Sequence, residues 1–195
     1  LVCDATLAKA LRVLRQRKHR PAKPLAIMGR DLAVLGQYVA LDKEAQDMLS
    51  SAAAPVVLLP RLAEGLCETQ SARSTKPTIV SPKKSRQALP AELAPNSHRL
   101  GVMLPHSPMQ HLLLESFDTP LVMTSGNRAG SPMVVDNATA LAELAEIADY
   151  FLLHNRPILN RADDSVFSFL PAGGFTGSTG STDSQQNAEL DAQAI

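Results

Sequence analysis

The stretch LGVMLPHSPMQHLLLESFDTPLVMTSGNRAG, residues 100–130, decides the fold. It begins with the apolar run LGVML and reaches a second apolar run, PLVMT, after a more polar segment. Between the two runs, Ser107 followed by Pro108 predicts a helix start, because serine caps free amides of the first turn and proline is tolerated at the first helical position. We expect the helix to continue to Phe117. The stretch therefore predicts a buried strand, a helix and a second buried strand.

Four further apolar runs predict strands on either side of this stretch. They are PLAIM (24–28), PVVLL (55–59), YFLLH (150–154) and SVFSF (165–169). Strands that are apolar throughout and separated by helices are typical of an α/β sheet covered by helices on both faces. The pattern predicts this fold class but does not determine the order of the strands.

Apolar spacing and capping residues predict four further helices. In the first, Leu7, Leu11 and Leu14 recur at helical spacing, and Pro21 sets the limit of the helix. The first helix has Asp4 or Thr6 as its predicted cap, and a second helix should start at Asp31 and run through Val39. A third should be capped by Asp42, with Ala45, Met48 and Leu49 facing the core. A fourth should be capped by Asp136 or Asn137, with Leu141, Leu144, Ile147 and Ala148 facing the core.

Composition limits the classes of function. The chain has 195 residues, of which 45% are hydrophobic, and a formal net charge of zero. A sizeable core is possible, and any phosphate binding must be local, because the protein has no overall basic field. Cys3 and Cys67 are too far apart in sequence for a CxxC zinc or redox motif, which suits a reducing cytoplasm. No apolar run approaches the roughly 20 residues of a membrane span.

Two segments depart from the strand–helix pattern. Residues 63–98 are polar and contain several prolines and basic residues, so we expect an insertion loop; a basic arm that contacts a polyanion is the alternative. Residues 171–195 are rich in Gly, Ser and Thr and predict a disordered tail. Residues 1–170 are then one domain. Because the chain starts with LVCDAT, we expect it to be a piece of a larger protein.

Positive charge is concentrated between the first helix and the PLAIM strand. The residues are Arg12, Arg15, Arg17, Lys18, Arg20, Lys23 and Arg30, with no acidic residue before Asp31. We predict that Lys18, Arg20 and Lys23 bind phosphate, because they lie around two prolines that stiffen the backbone and position the charges. Arg12 and Arg15 are assigned instead to the solvated helix face, where their charge favours the helix C-terminus.

A second candidate site, TSGN, follows the PLVM strand. Thr124, Ser125 and Asn127 offer hydroxyl and amide groups, while Gly126 and Gly130 allow backbone N–H groups to approach an anion closely. Open α/β sheets bind ligands beyond the ends of their strands, which favours this position. An ordinary Gly/Asn turn would explain the same residues.

A third candidate is the polar segment HNRPILNRADDSV, residues 154–166. Its adjacent carboxylates, Asp163 and Asp164, could hold Mg²⁺ together with phosphate oxygens. A salt-bridged loop is the alternative. His106 and His111 have no third ligand at zinc-site spacing, and no GxSxG motif supports a hydrolase triad.

Five segments together resemble the YrdC-like domain of the HypF family of hydrogenase-maturation carbamoyltransferases. In order they are KHRPAKPLAIM, LGVMLPHSPMQHLLL, PLVMTSGNRAGSP, IADYFLLHNRPI and NRADDSV. The first and third motifs are shared with the wider YrdC family, which includes threonylcarbamoyl-adenylate synthases. The resemblance implies an open, twisted YrdC-like sheet flanked by helices, N-terminally truncated because a preceding strand and a glycine-rich turn of the family are missing.

The resemblance also implies a function. Such a domain is expected to condense carbamate with ATP into carbamoyl-adenylate and pyrophosphate, with Mg²⁺ screening the leaving group. Carbamoyl phosphate is the upstream source of carbamate, and a HypE-like protein is the acceptor through domains that this sequence does not contain. The matching phosphate- and nucleotide-binding positions are Lys18, Arg20, Lys23, Thr124, Ser125, Asn127, Arg156 and Ser165, with Asp164 as the candidate Mg²⁺ ligand.

Three alternatives stay open on sequence alone. They are a threonylcarbamoyl-adenylate synthase-like domain for tRNA modification, a double-stranded RNA-binding module, and an inactive fragment whose pocket is incomplete. The sequence also departs from the HypF pattern at His106, where the family usually has Tyr, and at Asn155, where it usually has Asp.

Overall fold

The computed structural model describes residues 1–62 and 87–169, and within these ranges six strands form one open sheet. The strands are β1 (Val2–Asp4), β2 (Ala26–Met28), β3 (Val56–Pro60), β4 (Arg99–Met103), β5 (Leu121–Met123) and β6 (Val166–Ser168). Their order across the sheet is β1-β5-β2-β4-β3-β6. The pairs β2–β4 and β3–β6 are parallel, whereas the other three pairs are antiparallel. The predicted α/β class is confirmed, with a mixed sheet.

Five helices and a 3₁₀ turn accompany the sheet in the described residues. They are α1 (Ala8–Lys18), α2 (Leu32–Leu35), α3 (Lys43–Leu49), α4 (Pro108–Leu114), α5 (Asn137–Glu143) and the 3₁₀ turn Ala91–Leu93. Helices α2 and α4 are shorter than predicted, since they end before Val39 and Phe117. No helix in this part of the chain is long and apolar enough to cross a membrane.

Side-chain caps start four of the helices at predicted positions. The caps of α2, α3, α4 and α5 are Asp31, Asp42, Ser107 and Asp136, and each accepts a hydrogen bond from the amide three residues later. The predicted cap of α1 is wrong: Leu7 occupies the N-cap without a side-chain bond. The Asp4 carboxylate accepts instead from the amide and hydroxyl of Thr6, at 2.8 and 2.6 Å, which stabilises the turn before the helix.

The central strands are buried on both faces, as their apolar sequences predicted. Ile27, Val57, Val102 and Val122 lie in one transverse row and belong to the larger core, with residues of α1, α2, α3 and the 3₁₀ turn. Their neighbours in sequence point to the opposite face, because side chains alternate along a strand. There Met28, Val56, Met103 and Leu121 pack with Leu114 of α4.

Two predictions for the second half of the chain are wrong. The YFLLH run at 150–154 is not a strand, and Tyr150 is 93% exposed. The structure also contains a strand that was not predicted: β1 pairs with β5, and its three residues are too few and too polar for their pattern to predict a strand. Leu141 is exposed, whereas Leu144 and Ile147 reach the core as predicted.

Part of the predicted insertion loop belongs to the core. Leu89, Leu93 and Ala94 are buried, and the Leu25 amide of the chain entering β2 donates to the Leu93 carbonyl at 2.9 Å. The prediction of a polar loop is therefore wrong for residues 87–98, because apolar side chains four apart allow a short turn to bury them. The rest of that loop, 63–86, and the predicted tail, 171–195, lie outside the described residues.

Candidate functional site

The last turn of α1 joins two of the segments that were predicted to bind phosphate. Lys18 Nζ donates to the Ser125 carbonyl at 2.6 Å, the Asn127 carbonyl at 3.0 Å and Asn127 Oδ1 at 2.9 Å. Residues more than 100 positions apart in sequence thus meet at one end of the sheet, where β5 ends and β2 begins. The structure brings together Lys18, Ser125 and Asn127, which the residue patterns placed in two candidate sites, and their roles in binding a nucleotide stay predictions.

Lys18 is a buried cation that neutral oxygens surround. It is 3% exposed, and its three hydrogen-bond acceptors are carbonyl and amide oxygens, not carboxylates. Burial, followed by the nearby charge of Arg20, lowers the pKa of Lys18 to about 8. An unbalanced positive charge at this point would attract an anion.

The loop after α1 places Arg20 beside Lys18. The helix ends at His19, whose left-handed φ of 53° turns the chain away. Arg20 Nη2 donates to the Pro24 carbonyl at 2.7 Å, while Arg20 Nε is buried and has no partner in the described part of the chain. Burial lowers the pKa of Arg20. Lys23 is exposed at the outer part of the loop.

The TSGN segment forms a closely bonded turn after β5. The Ser125 hydroxyl donates to Asn127 Oδ1 at 2.6 Å, and Asn127 Nδ2 donates to the Ser131 carbonyl at 2.6 Å. The Val134 amide closes the turn on the Gly126 carbonyl at 2.9 Å. Thr124 is half-buried at the start of the turn. The two hydrogen bonds of the Asn127 side chain therefore fix the orientation of its amide group, while Lys18 fixes the backbone of the turn at the carbonyls of Ser125 and Asn127.

The structure does not bring the remaining predicted residues to Lys18. Arg156 is exposed, in a segment where Asn137 Nδ2 donates to the His154 carbonyl. Asp164 and Ser165 precede β6, at the opposite end of the sheet from Ser125 and four strands away, or about 19 Å across the sheet. The ligand roles of these three residues stay predictions.

No described group of three or more His, Cys, Asp or Glu residues could hold a metal ion. Magnesium usually takes only one or two protein carboxylates and completes its shell with water and substrate phosphates.

Sequence reasoning missed the role of Arg15, which is 8% exposed and not on a solvated helix face. Its guanidinium donates only to backbone carbonyls, in the loop after α1 and in the 3₁₀ turn. Arg12 does lie on the exposed face as predicted, paired with Glu92 at 2.5 Å. The nearby Pro21 and Pro24 are the signal that could have found Arg15, because a proline-rich loop supplies few amides to satisfy its own carbonyls.

The geometry and the sequence agree with one known family. The family model for Sua5, YciO and YrdC proteins, described as "Telomere recombination", matches residues 1–174. The chain belongs to this family. Within the YrdC family it is similar to carbamoyltransferase HypF of Rhodobacter capsulatus, at 44% identity over 166 residues, and to HypF of Synechocystis sp., at 42%. Each match covers 85% of this chain and 19% of the relative.

Solved structures lead to the same YrdC-like fold. Full-length HypF in its phosphate- and nucleotide-bound form has a TM-score of 0.72 and 39% identity, and the match covers 86% of this chain and 23% of that one. YciO from E. coli, at 19% identity and a TM-score of 0.58, shares the fold alone. The resemblance to the YrdC-like domain of HypF is confirmed, and the chain spans about a fifth of the length of the HypF relatives it matches.

Proposed function

We propose that this chain binds ATP at the end of α1 and forms carbamoyl-adenylate from ATP and carbamate. The observation that carries the proposal is the buried Lys18, which joins the loop of Arg20 to the turn of Ser125 and Asn127 and has no carboxylate partner in the part of the chain that the structure describes. The unpartnered, buried Arg20 Nε is a second sign that an anionic group fits here. The nucleotide in the related HypF structure supports ATP as that group.

The proposed reaction needs no protein nucleophile. A carbamate oxygen attacks the α-phosphorus, the new O–P bond forms as the bond to the bridging oxygen breaks, and pyrophosphate leaves with the electron pair. Negative charge grows on the leaving phosphates, and positioned cations stabilise that charge more strongly in the transition state than in the bound substrate. Arg20 and Lys23 would bind the leaving phosphates, while Ser125 and Asn127 would hold the nucleotide near the α-phosphate.

The larger pathway follows from the HypF resemblance. Carbamate would derive from carbamoyl phosphate, and the carbamoyl group would pass to a HypE-like acceptor protein. Both steps would take place in other parts of a HypF-type protein, since the match covers about a fifth of the HypF relatives. Mg²⁺ would enter with ATP and supply charge stabilisation at its phosphate oxygens.

Calorimetric titration of the chain with ATP and Mg²⁺ tests the binding half of this proposal. Arg20→Ala and Lys23→Ala should each raise the Kd for ATP by about 10- to 100-fold, the usual worth of a charge-assisted hydrogen bond. Lys43→Ala is the matched control, because Lys43 is exposed and forms an ion pair with Asp47 within α3, away from the proposed site. Unchanged affinity in both loop variants would contradict the assignment of the phosphate site.

Product analysis separates the alternatives. Pyrophosphate release that depends on ATP and carbamate supports the proposal, whereas release that depends on threonine and bicarbonate would identify the tRNA-modification reaction. Binding of double-stranded RNA that weakens steeply with salt, without any effect of ATP, would favour the RNA-binding alternative. A folded chain that binds neither would be an inactive fragment.

A further inference from the structure

Arg15 lies under the loop that carries Arg20 and Lys23. Within the described residues its guanidinium makes five hydrogen bonds, all to backbone carbonyls and none to a carboxylate. Nη1 donates to the carbonyls of Arg20 at 2.9 Å, Pro21 at 3.3 Å and Lys23 at 3.0 Å, while Nε and Nη2 donate to those of Glu92 at 2.7 Å and Leu93 at 3.2 Å.

The loop cannot satisfy these carbonyls by itself. Pro21 and Pro24 have no amide hydrogen, so the four residues from 20 to 23 contain only three amide donors. The Arg20 amide is already used, since it donates to the Arg15 carbonyl at 2.9 Å. The five N–H donors of one arginine replace the missing amides, and a lysine at the same place would supply at most three.

We propose that Arg15 is the positioning residue of the phosphate-binding loop, which it holds in the conformation that presents Arg20 and Lys23 to an anion. The inference rests on the proposed function for the identity of that anion. Arg15 acts through the loop and not as a ligand-binding group, because each of its three guanidinium nitrogens already donates to the protein backbone. A loop that is ordered before binding loses less conformational entropy when the anion arrives, so affinity is higher.

The 3₁₀ turn forms the other side of the same clamp. The Leu93 carbonyl accepts from Arg15 Nη2 and also from the Leu25 amide at 2.9 Å, at the point where the loop enters β2. Arg15 therefore contacts the start and the middle of the loop directly, through the carbonyls of Arg20, Pro21 and Lys23. It contacts the end of the loop indirectly, because the Leu93 carbonyl that it bonds also accepts from the Leu25 amide.

The test compares Arg15→Lys with Arg12→Lys, one turn earlier on α1, where the side chain is exposed and forms a surface ion pair with Glu92. Arg15→Lys should raise the Kd for ATP about tenfold, through loss of two or more hydrogen bonds that order the loop. It should also speed hydrogen–deuterium exchange of the amides in residues 20–25. Arg12→Lys should change neither quantity. Unchanged exchange and affinity in Arg15→Lys would overturn the inference.

A double-mutant cycle separates positioning from a general structural role. In an Arg20→Ala background, Arg15→Lys should raise the Kd by no more than about threefold, because the side chain through which it acts is missing. An undiminished tenfold effect would overturn positioning through Arg20. If the wild-type chain does not bind ATP, the proposed function fails, and exchange of residues 20–25 alone decides whether Arg15 orders the loop.

Discussion

At the scale of single residues, the charge of Lys18 depends on pH within a measurable range. Burial and Arg20 lower its pKa to about 8, against an ordinary value of 10.5. The three N–H groups of Lys18 donate to Ser125 and Asn127, so we expect its charge to attract the phosphates of ATP without a direct hydrogen bond. The Kd for ATP should then rise by up to about tenfold per pH unit above pH 8, as the proton is lost. Calorimetric titrations between pH 7 and about pH 9.5 measure this dependence.

Stability should change in the opposite direction in the same pH range. The unfolded chain binds a proton at Lys18 up to its ordinary pKa of 10.5, whereas the folded chain releases it near pH 8. The contribution of Lys18 to the free energy of unfolding therefore increases from pH 8 to pH 10.5.

The control for the pH dependence of ATP binding is Lys18→Arg, which stays charged and should flatten the pH dependence of the Kd. A wild-type Kd that is constant over the range would contradict a role for the Lys18 charge.

The same scale shows where sequence reasoning succeeds and where it does not. The sequence predicts Lys18 and Asn127 as parts of two candidate sites, because an unbalanced basic stretch and a Gly/Asn turn after a strand each have a recognisable local chemistry. Their direct contact is shown by the structure. Arg15 could not be assigned correctly from helical spacing. Its burial depends on the path of the loop after the helix, for which Pro21 and Pro24 are the only nearby signal, and on a turn at Leu93, which lies 78 positions away in the sequence.

At the scale of elements, α4 tests how far a local signal determines a helix. The Ser107 hydroxyl accepts from the Gln110 amide, and Gln110 Oε1 accepts from the Ser107 amide at 3.1 Å, which completes a capping box. Ser107→Ala should lower the free energy of unfolding by about 1 kcal/mol. Urea denaturation followed by circular dichroism measures the change. His106→Ala, at an exposed neighbour, should leave stability unchanged, and equal stability of both variants would contradict the cap.

Elements with such local signals were predictable, and elements without them were not. The caps at Asp31, Asp42, Ser107 and Asp136 each need only residues within one turn, so the sequence contains all the information. The run at 150–154 has the composition of a strand but does not pair with any strand of the described sheet. Composition records only the propensity for extended backbone, and it does not show whether the rest of the chain brings the run beside a partner strand.

At the scale of the whole molecule, the order of the strands depends on contacts between distant segments. β1 pairs with β5 across about 120 residues, and β2 lies between β5 and β4. Apolar runs predict that strands are buried but carry little information on which strand lies beside which, since any two such runs can share a ladder. The order and direction of the strands could therefore be learned only from the structure, whereas the burial of both faces of the sheet could be predicted from the sequence.

The segment 87–98 provides the test at this scale, because its place in the core was not predicted. Leu93 is fully buried against the larger core, so Leu93→Ala should lower the free energy of unfolding by about 2–5 kcal/mol, through lost burial and the cavity left behind. Leu112→Ala is the matched control, since Leu112 is 72% exposed on α4, and its effect should stay within about 0.5 kcal/mol. Urea midpoints compare the two variants. Equal midpoints would mean that segment 87–98 contributes no more to the free energy of unfolding than a surface loop does. The 3₁₀ turn that accepts hydrogen bonds from Arg15 would then not be part of the stable core.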